Sequence, residues 1–78
     1  MAKFKKGNYV VKQYHDGRSI GIVAQDNYIM MPFGFLVVSV NIINGKDVGK
    51  TMLIKPEELS FLPPEEELIY RTENESKI

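Results

Sequence analysis

Turn-forming residues divide this 78-residue chain into short pieces, and their spacing limits the folds available to it. They occur at Gly7-Asn8, Asp16-Gly17, Gln25-Asp26-Asn27, Pro32-Phe33-Gly34, Asn44-Gly45 and Pro63-Pro64. Most of the intervening pieces have about 6–10 residues, which suits β-strands and is too short for ordinary helices. They are also rich in Val, Ile, Tyr and Phe, side chains that favour a pleated sheet. The chain is therefore expected to be mainly β.

The first predicted hairpin joins a strand at residues 9–15 to a strand at residues 19–25. Between them lies Asp16-Gly17, a dipeptide typical of two-residue type I′ turns. In the second strand Ile20, Ile22 and Ala24 lie on one face, because side chains alternate along a strand. This face is expected to be buried.

Residues 35–43 form the clearest predicted strand. Its even positions are all apolar and are expected to face the core: Leu36, Val38, Val40 and Ile42. Asn44-Gly45 then begins a turn that leads to a strand at residues 50–55. In this fourth strand Met52 and either Ile54 or Leu53 are expected to face inward.

The pattern changes after residue 55. Pro56-Glu57-Glu58-Leu59 predicts one turn of 3₁₀ helix, which would deliver Leu59, Phe61 and Leu62 to the core. Residues 67–71 fit a fifth short strand, although the same region starting at Pro64 also fits a short helix. We favour the strand. Residues 72–78 are expected to form a flexible tail, which leaves a single domain at residues 1–71.

This order of elements resembles the SH3-like small β-barrels of bacterial and phage proteins, including Tudor-like and KOW-type domains. The resemblance covers about residues 4–62 and rests on Gly7, Val10, Gly17, Gly21, Val23 and the segment Leu53–Leu59. It implies an all-β fold, a small SH3-like barrel of about five short antiparallel strands with a single 3₁₀ turn near the C-terminal end. The chain has no tryptophan and does not match the peptide groove of signalling SH3 domains. The resemblance therefore implies a fold more than a function.

The residues that could carry catalysis are few. The absence of cysteine excludes disulfides and thiolate metal sites, and the single histidine, His15, excludes a histidine cluster. His15 lies beside a predicted tight turn, and adjacent glutamates such as Glu57-Glu58 are more typical of a solvated surface than of an acid–base pair. We expect no enzyme activity and assign no catalytic residue, cofactor, metal site or small-molecule substrate.

Charge is distributed unevenly along the chain, although its net charge is zero. Residues 1–55 hold eight basic and three acidic side chains, whereas residues 56–78 hold two basic and seven acidic ones. The resemblance to KOW and Tudor-like barrels implies nucleic-acid binding by basic hairpins, for which the candidates are Lys5, Lys6, Lys12, Arg18, Lys46 and Lys50. The pI near 6.6 and the presence of only two arginines weigh against this function.

One segment that joins two predicted strands is almost wholly apolar, whereas connecting loops are usually polar. The candidate protein-interaction residues in it are Tyr28, Ile29, Met30, Met31, Phe33 and Phe35. Methionine and aromatic side chains are enriched in interfaces, so the segment favours contact with a protein partner or with a second copy of the chain. Alternatively, it folds over the end of the barrel as part of the core.

The resulting functional expectation is a non-enzymatic protein-interaction module. It fits a small regulator or a component of a larger assembly, and phage-encoded modulators of host enzymes also have this size. Nucleic-acid binding is the alternative. The longest apolar stretch, residues 28–38, is interrupted by Pro32 and Gly34 and is about half the length needed to cross a bilayer, so we expect a cytoplasmic location.

Overall fold

A computed structural model describes residues 3–76 of the chain, and the side chains of residues 3–73. The strands are β1 (Tyr9–Tyr14), β2 (Gly17–Val23), β3 (Ile29–Met30), β4 (Leu36–Gly45), β5 (Thr51–Ile54) and β6 (Leu59–Phe61). A 3₁₀ turn at Pro56–Glu58 lies between β5 and β6, and a helix, α1 (Pro64–Ser76), follows β6. The protein is thus mostly β, with one short helix.

The strands form an open antiparallel sheet. Their order is β3-β4-β2-β1-β6, and β5 also pairs with β4. In the described part of the chain, β6 does not pair with β3 or β5, so the sheet does not close into the predicted barrel. The terminal pairings are short: β6 pairs with β1 over three residues and β3 pairs with β4 over two.

The main core lies on one face of the sheet and contains most of the buried apolar side chains. It is formed by Phe4, Val10, Val23, Val38, Val40, Ile42, Ile54 and Leu59. Leu36 was also predicted to face this core, but it is 42% exposed. It is the first residue of β4, and the pairing of β4 with β5 begins only at Val38. Phe61, also expected in the core, remains 46% exposed at the sheet edge.

The opposite face of β1 and β2 carries a second cluster. Tyr9, Ile20 and Leu62 form its buried centre, and Tyr70 of α1 packs against them. The sequence predicted one buried face here, formed by Ile20, Ile22 and Ala24, but only Ile20 is buried, and Ile22 and Ala24 are half-buried. The structure buries residues on both faces, because the main core covers one and the segment after β6 covers the other.

The first hairpin turns one residue earlier than the sequence indicated. Tyr14 pairs with Gly17, which leaves His15 and Asp16 as the two-residue connection and places Gly17 in β2. The Gln13 side-chain amide donates a hydrogen bond to the Gly17 carbonyl at 2.9 Å across this end of the hairpin. The Asp16-Gly17 pair therefore predicted the hairpin correctly, although the two residues at the centre of its turn are His15 and Asp16.

The strand predicted at residues 67–71 is wrong, because these residues belong to α1. Pro64 is the first residue of the helix, where the missing backbone N–H of proline costs no hydrogen bond. Three glutamates occupy the first turn, and their negative charges interact favourably with the positive end of the helix dipole. The Glu67 amide donates to the Pro63 carbonyl at 2.9 Å. The helix continues through residues 72–76, which were predicted as flexible tail; residues 77–78 of that tail lie outside the described residues.

Candidate functional site

The connection between β3 and β4 is a tight turn with a proline at its corner. The Gly34 amide donates to the Met31 carbonyl at 3.0 Å, and the Met31 amide donates to the Phe35 carbonyl at 2.8 Å. Pro32 follows Met31, where a fixed φ suits the turn, and Gly34 adopts a φ of 87° that favours glycine. This backbone holds Phe33 at the tip of the hairpin.

Four large apolar side chains around this turn are open to solvent, and we call them the hairpin patch: Met30, Phe33, Phe35 and Leu36. Phe33 is 91% exposed and Met30 is 63% exposed. Met30 pairs with Leu36 across the two strands, so these two side chains lie on the same face of the hairpin. The patch combines methionine and aromatic groups, which are common at interface cores.

A lysine adds positive charge to the edge of the patch. The Lys55 ammonium nitrogen lies 4.8 Å from the centroid of the Phe35 ring, within the range of a cation–π interaction. No carboxylate in the described part of the chain forms an ion pair with Lys55, although, alongside the hydrogen bond from Lys12, its positive charge helps to lower the pKa of the Glu58 carboxyl. Leu53, two residues earlier on β5, is 50% exposed. The site therefore offers apolar contact beside one cation.

The other half of the predicted interaction segment serves the fold. Tyr28 packs against the main core, and its hydroxyl oxygen accepts hydrogen bonds from the Lys3 and Phe4 amides at 3.0 Å each. Ile29 and Met31 are half-buried. The structure thus separates the six predicted residues into three that are exposed and three that anchor the hairpin.

Four of the six basic candidates are neutralised by carboxylates. Lys46 pairs with Asp16 at 2.9 Å and Lys50 with Asp47 at 3.5 Å, while the other two pairs are Lys12 with Glu58 and Arg18 with Glu66. Hydrogen bonds from the cations lower the pKa of Asp16, Glu58 and Glu66 below the ordinary carboxyl range. These contacts divide the basic charge among separate pairs instead of presenting it as one open face.

The remaining two basic candidates, Lys5 and Lys6, lie in the turn before β1. Their backbone amides donate to the side-chain oxygens of Asn8 at 2.7 Å and Asp26 at 3.0 Å, which fixes the turn. No described carboxylate forms an ion pair with either ammonium group. The structure therefore leaves only these two members of the predicted nucleic-acid set without a neutralising partner.

Acidification is expected to weaken the attachment of α1 through the Arg18–Glu66 pair. Because this pair lowers the Glu66 pKa in the folded protein, its contribution is fully present above the ordinary glutamate pKa of about 4.3 and is lost as pH falls through the lowered value. Urea unfolding between pH 2 and 7 should show that Glu66→Gln loses stability at neutral pH and matches the natural chain in acid. Glu65→Gln, which removes the same charge one residue away, should have the smaller effect; equal profiles for the two variants would contradict the assignment.

Within residues 3–76, no group of three or more His, Asp or Glu side chains is placed to hold a metal ion. His15 is exposed at the end of the first hairpin. The described helix is neither long enough nor apolar enough to span a bilayer.

No family model, no curated protein and no solved structure matches this chain. Two members of the site, Leu36 and Lys55, were missed by the sequence reasoning. Leu36 looked like an ordinary core position of β4, and Lys55 lies 20 residues from the ring that it contacts.

Proposed function

We propose that this chain is a non-enzymatic protein-interaction module that binds another protein chain through the hairpin patch. The observation that carries the proposal is Phe33, a large aromatic side chain that is 91% exposed at the tip of an ordered turn. Covering Phe33 and Met30 would remove apolar surface from water, which favours association. Contiguous apolar patches on small soluble proteins mark interaction surfaces.

The rigidity of the turn supports this function. Pro32 and the two backbone hydrogen bonds around Met31 hold the hairpin tip in one conformation before any partner arrives. A surface that is already ordered loses less conformational entropy on binding. Tyr28 fixes the base of the same hairpin to the N-terminal segment. Binding would therefore require little rearrangement of the backbone.

The strand order supports an SH3-like arrangement of strands, present here as an open sheet rather than a closed barrel, as the finer description of the fold. Two hairpins flank a long strand, and a 3₁₀ turn precedes the last short strand, which is the order that carries the resemblance. Within this proposal the chain is a small regulator or a component of a larger assembly. The cytoplasm is its proposed location.

Charge pairing favours protein over nucleic acid as the partner. Nucleic-acid binding depends on cations that can replace the counterions of phosphates, and four of the six candidate cations already have carboxylate partners. The aromatic rings near these cations are also occupied, since the ammonium groups of Lys12 and Lys46 lie over the Tyr14 ring at 5.0 and 5.3 Å. The hairpin patch has no such internal partner beyond Lys55.

Replacing Met30 and Phe33 together by serine is expected to abolish partner capture while leaving the fold intact. Both side chains are largely exposed, so their truncation removes little buried contact. The natural chain and the variant would be used as bait in extract of the native host, and captured proteins quantified by mass spectrometry. Val48→Ser, which removes another exposed apolar side chain in the loop before β5, is the matched control and should capture normally.

Three results would count against the proposal. Capture of the same proteins by the Met30/Phe33 variant would show that the patch is not the binding surface. Unfolding of that variant, seen in its circular dichroism spectrum, would show that the segment belongs to the core. Recovery of nucleic acid with the bait, lost in Lys5→Glu/Lys6→Glu and retained in the patch variant, would favour the alternative function.

A further inference from the structure

We infer that the occupant of the hairpin patch is helix α1 of a second copy of this chain. This inference rests on the proposed function, because it names the partner for the same surface. It follows from an exposed apolar stripe on α1, from the way the opposite side of α1 is already used, and from the charges around the two surfaces.

The outward side of α1 carries a stripe of side chains at helical spacing. Leu68 is 65% exposed and Ile69 is 58% exposed. Glu65 and Thr72 stand three or four residues from both of them, so all four side chains share one side of the helix. We call Glu65, Leu68, Ile69 and Thr72 the helix stripe. Leu68 and Ile69 are neighbours in sequence, and together they form an exposed apolar surface that a partner can cover.

The other side of α1 is held by its own chain. Glu66 pairs with Arg18, Tyr70 packs into the second cluster, and the Arg71 guanidinium carbon lies 5.3 Å from the centroid of the Tyr9 ring. The helix is thus fixed on the sheet while Leu68 and Ile69 face solvent. A partner can cover the helix stripe without displacing the helix.

The charges of the two surfaces are complementary. Residues 64–73 contain four glutamates and a single basic residue, Arg71. Glu66 and Glu67 are engaged by arginines within the chain, whereas Glu65 stands on the helix stripe itself. The hairpin patch carries Lys55, whose ammonium group forms no ion pair with a described carboxylate. Contact between the surfaces would bring Glu65 to Lys55 and cover the apolar groups of both.

The contact must join two copies. Phe33 and Leu68 are both largely exposed in the same molecule, so the two surfaces do not cover each other within one chain. Because they are different surfaces, the contact is head-to-tail, and each copy contributes one hairpin patch and one helix stripe. Either surface alone should therefore be enough for a copy to enter a complex with one suitable partner.

Mixing two defective variants tests this arrangement. Met30→Ser/Phe33→Ser lacks the patch, and Leu68→Ser/Ile69→Ser lacks the stripe. In sedimentation velocity the natural chain is expected to self-associate, and each variant alone should be monomeric, with association weakened at least about 100-fold. An equimolar mixture should form a 1:1 heterodimer and nothing larger, because only one intact patch and one intact stripe meet.

A charge pair provides a second test that leaves the apolar groups in place. Lys55→Glu and Glu65→Lys should each weaken self-association about 10-fold, because each variant alone brings like charges together. Mixing them should restore association between unlike copies, through the natural Lys55–Glu65 pair at one contact and the exchanged pair at the other. Val48→Ser is the control that should associate normally. Circular dichroism of every variant checks that a loss of association does not arise from unfolding.

Three outcomes would overturn the inference. These are a monomeric natural chain at millimolar concentration, a stripe variant that associates like the natural chain, and a mixture that remains monomeric. None of them would overturn the proposed function, since capture of a different protein by the hairpin patch is measured separately with host extract. Loss of that capture in the patch variant, with no effect in the stripe variant, would identify the patch as a site for another protein.

Discussion

Phe4→Ala is expected to lower the free energy of unfolding by about 3–5 kcal/mol, the usual cost of truncating a buried phenylalanine. The Phe4 side chain is fully buried within the main core, and its ring centroid lies 4.9 Å from that of Phe61. Its removal would leave a cavity between the N-terminal segment and β6. A domain of this length has a total stability of about 4–12 kcal/mol, so the variant should approach the limit of folding at room temperature.

Phe33→Ala is the matched control for this prediction. It makes the same chemical change at a side chain that is 91% exposed, and its effect should stay within about 0.5 kcal/mol. Urea unfolding followed by circular dichroism measures both variants. Similar losses at the two positions would contradict the placement of Phe4 in the core.

Gly45→Ala is expected to destabilise the protein by about 2–4 kcal/mol, through backbone strain and a direct clash. Gly45 has a φ of 91°, and a Cβ added there would lie 2.1 Å from the Arg18 carbonyl oxygen and 3.0 Å from the Ser19 Cα. Both neighbours belong to the backbone of β2, the strand that pairs with this end of β4. Relief of the clash would require the two strands to separate.

Gly49→Ala separates the two contributions. Gly49 has nearly the same φ, 89°, but an added Cβ would meet no atom within 4 Å. Its substitution should therefore cost only about 1 kcal/mol, the conformational penalty alone. The difference between the variants, measured by thermal or urea unfolding, reports the close approach of β4 to β2. Equal losses would show that this close approach is absent.

Local patterns were sufficient for the strands whose neighbours are close in sequence. The alternation through Val38, Val40 and Ile42 predicted β4 and the side chains that it contributes to the main core, although Val37 and Ser39 on its other face are buried as well. Pro56 predicted the 3₁₀ turn, since a fixed φ suits the first position of such a turn. In each case the sequence preference and the tertiary packing agree.

The region after residue 63 could not be resolved from local preference. Leu68, Ile69 and Tyr70 favour a strand, whereas Pro64 and the glutamates that follow favour the start of a helix. The packing of Tyr70 against the cluster that contains Tyr9 and Ile20 supports the helix, and those two partners lie 61 and 50 residues earlier. A contact over that separation leaves no periodic signal in the sequence.

The sequence predicted which segment forms the candidate site, but not which of its side chains are exposed. Its unusual apolar composition identified the hairpin, but the pairing of Met30 with Leu36 determines which side chains face solvent. Tyr28 illustrates the limit, since its hydroxyl binds backbone amides at Lys3 and Phe4, more than 20 residues away. Composition alone gave it the same role as Phe33.

The pairing of the first strand with the last has a consequence for the growing chain during translation. β1 receives its second neighbour only when β6 has been made, about 40 residues after the end of β2. At ribosomal rates of about 5–20 residues per second, the outer edge of β1 stays open for about 2–8 s. An open edge can recruit strands of other nascent chains, and Lys12, in the paired segment of that edge, discourages such pairing. Once β6 has paired with β1, the same lysine forms an ion pair with Glu58. Lys12 therefore opposes wrong pairing at this edge before β6 is made and supports the native pairing afterwards.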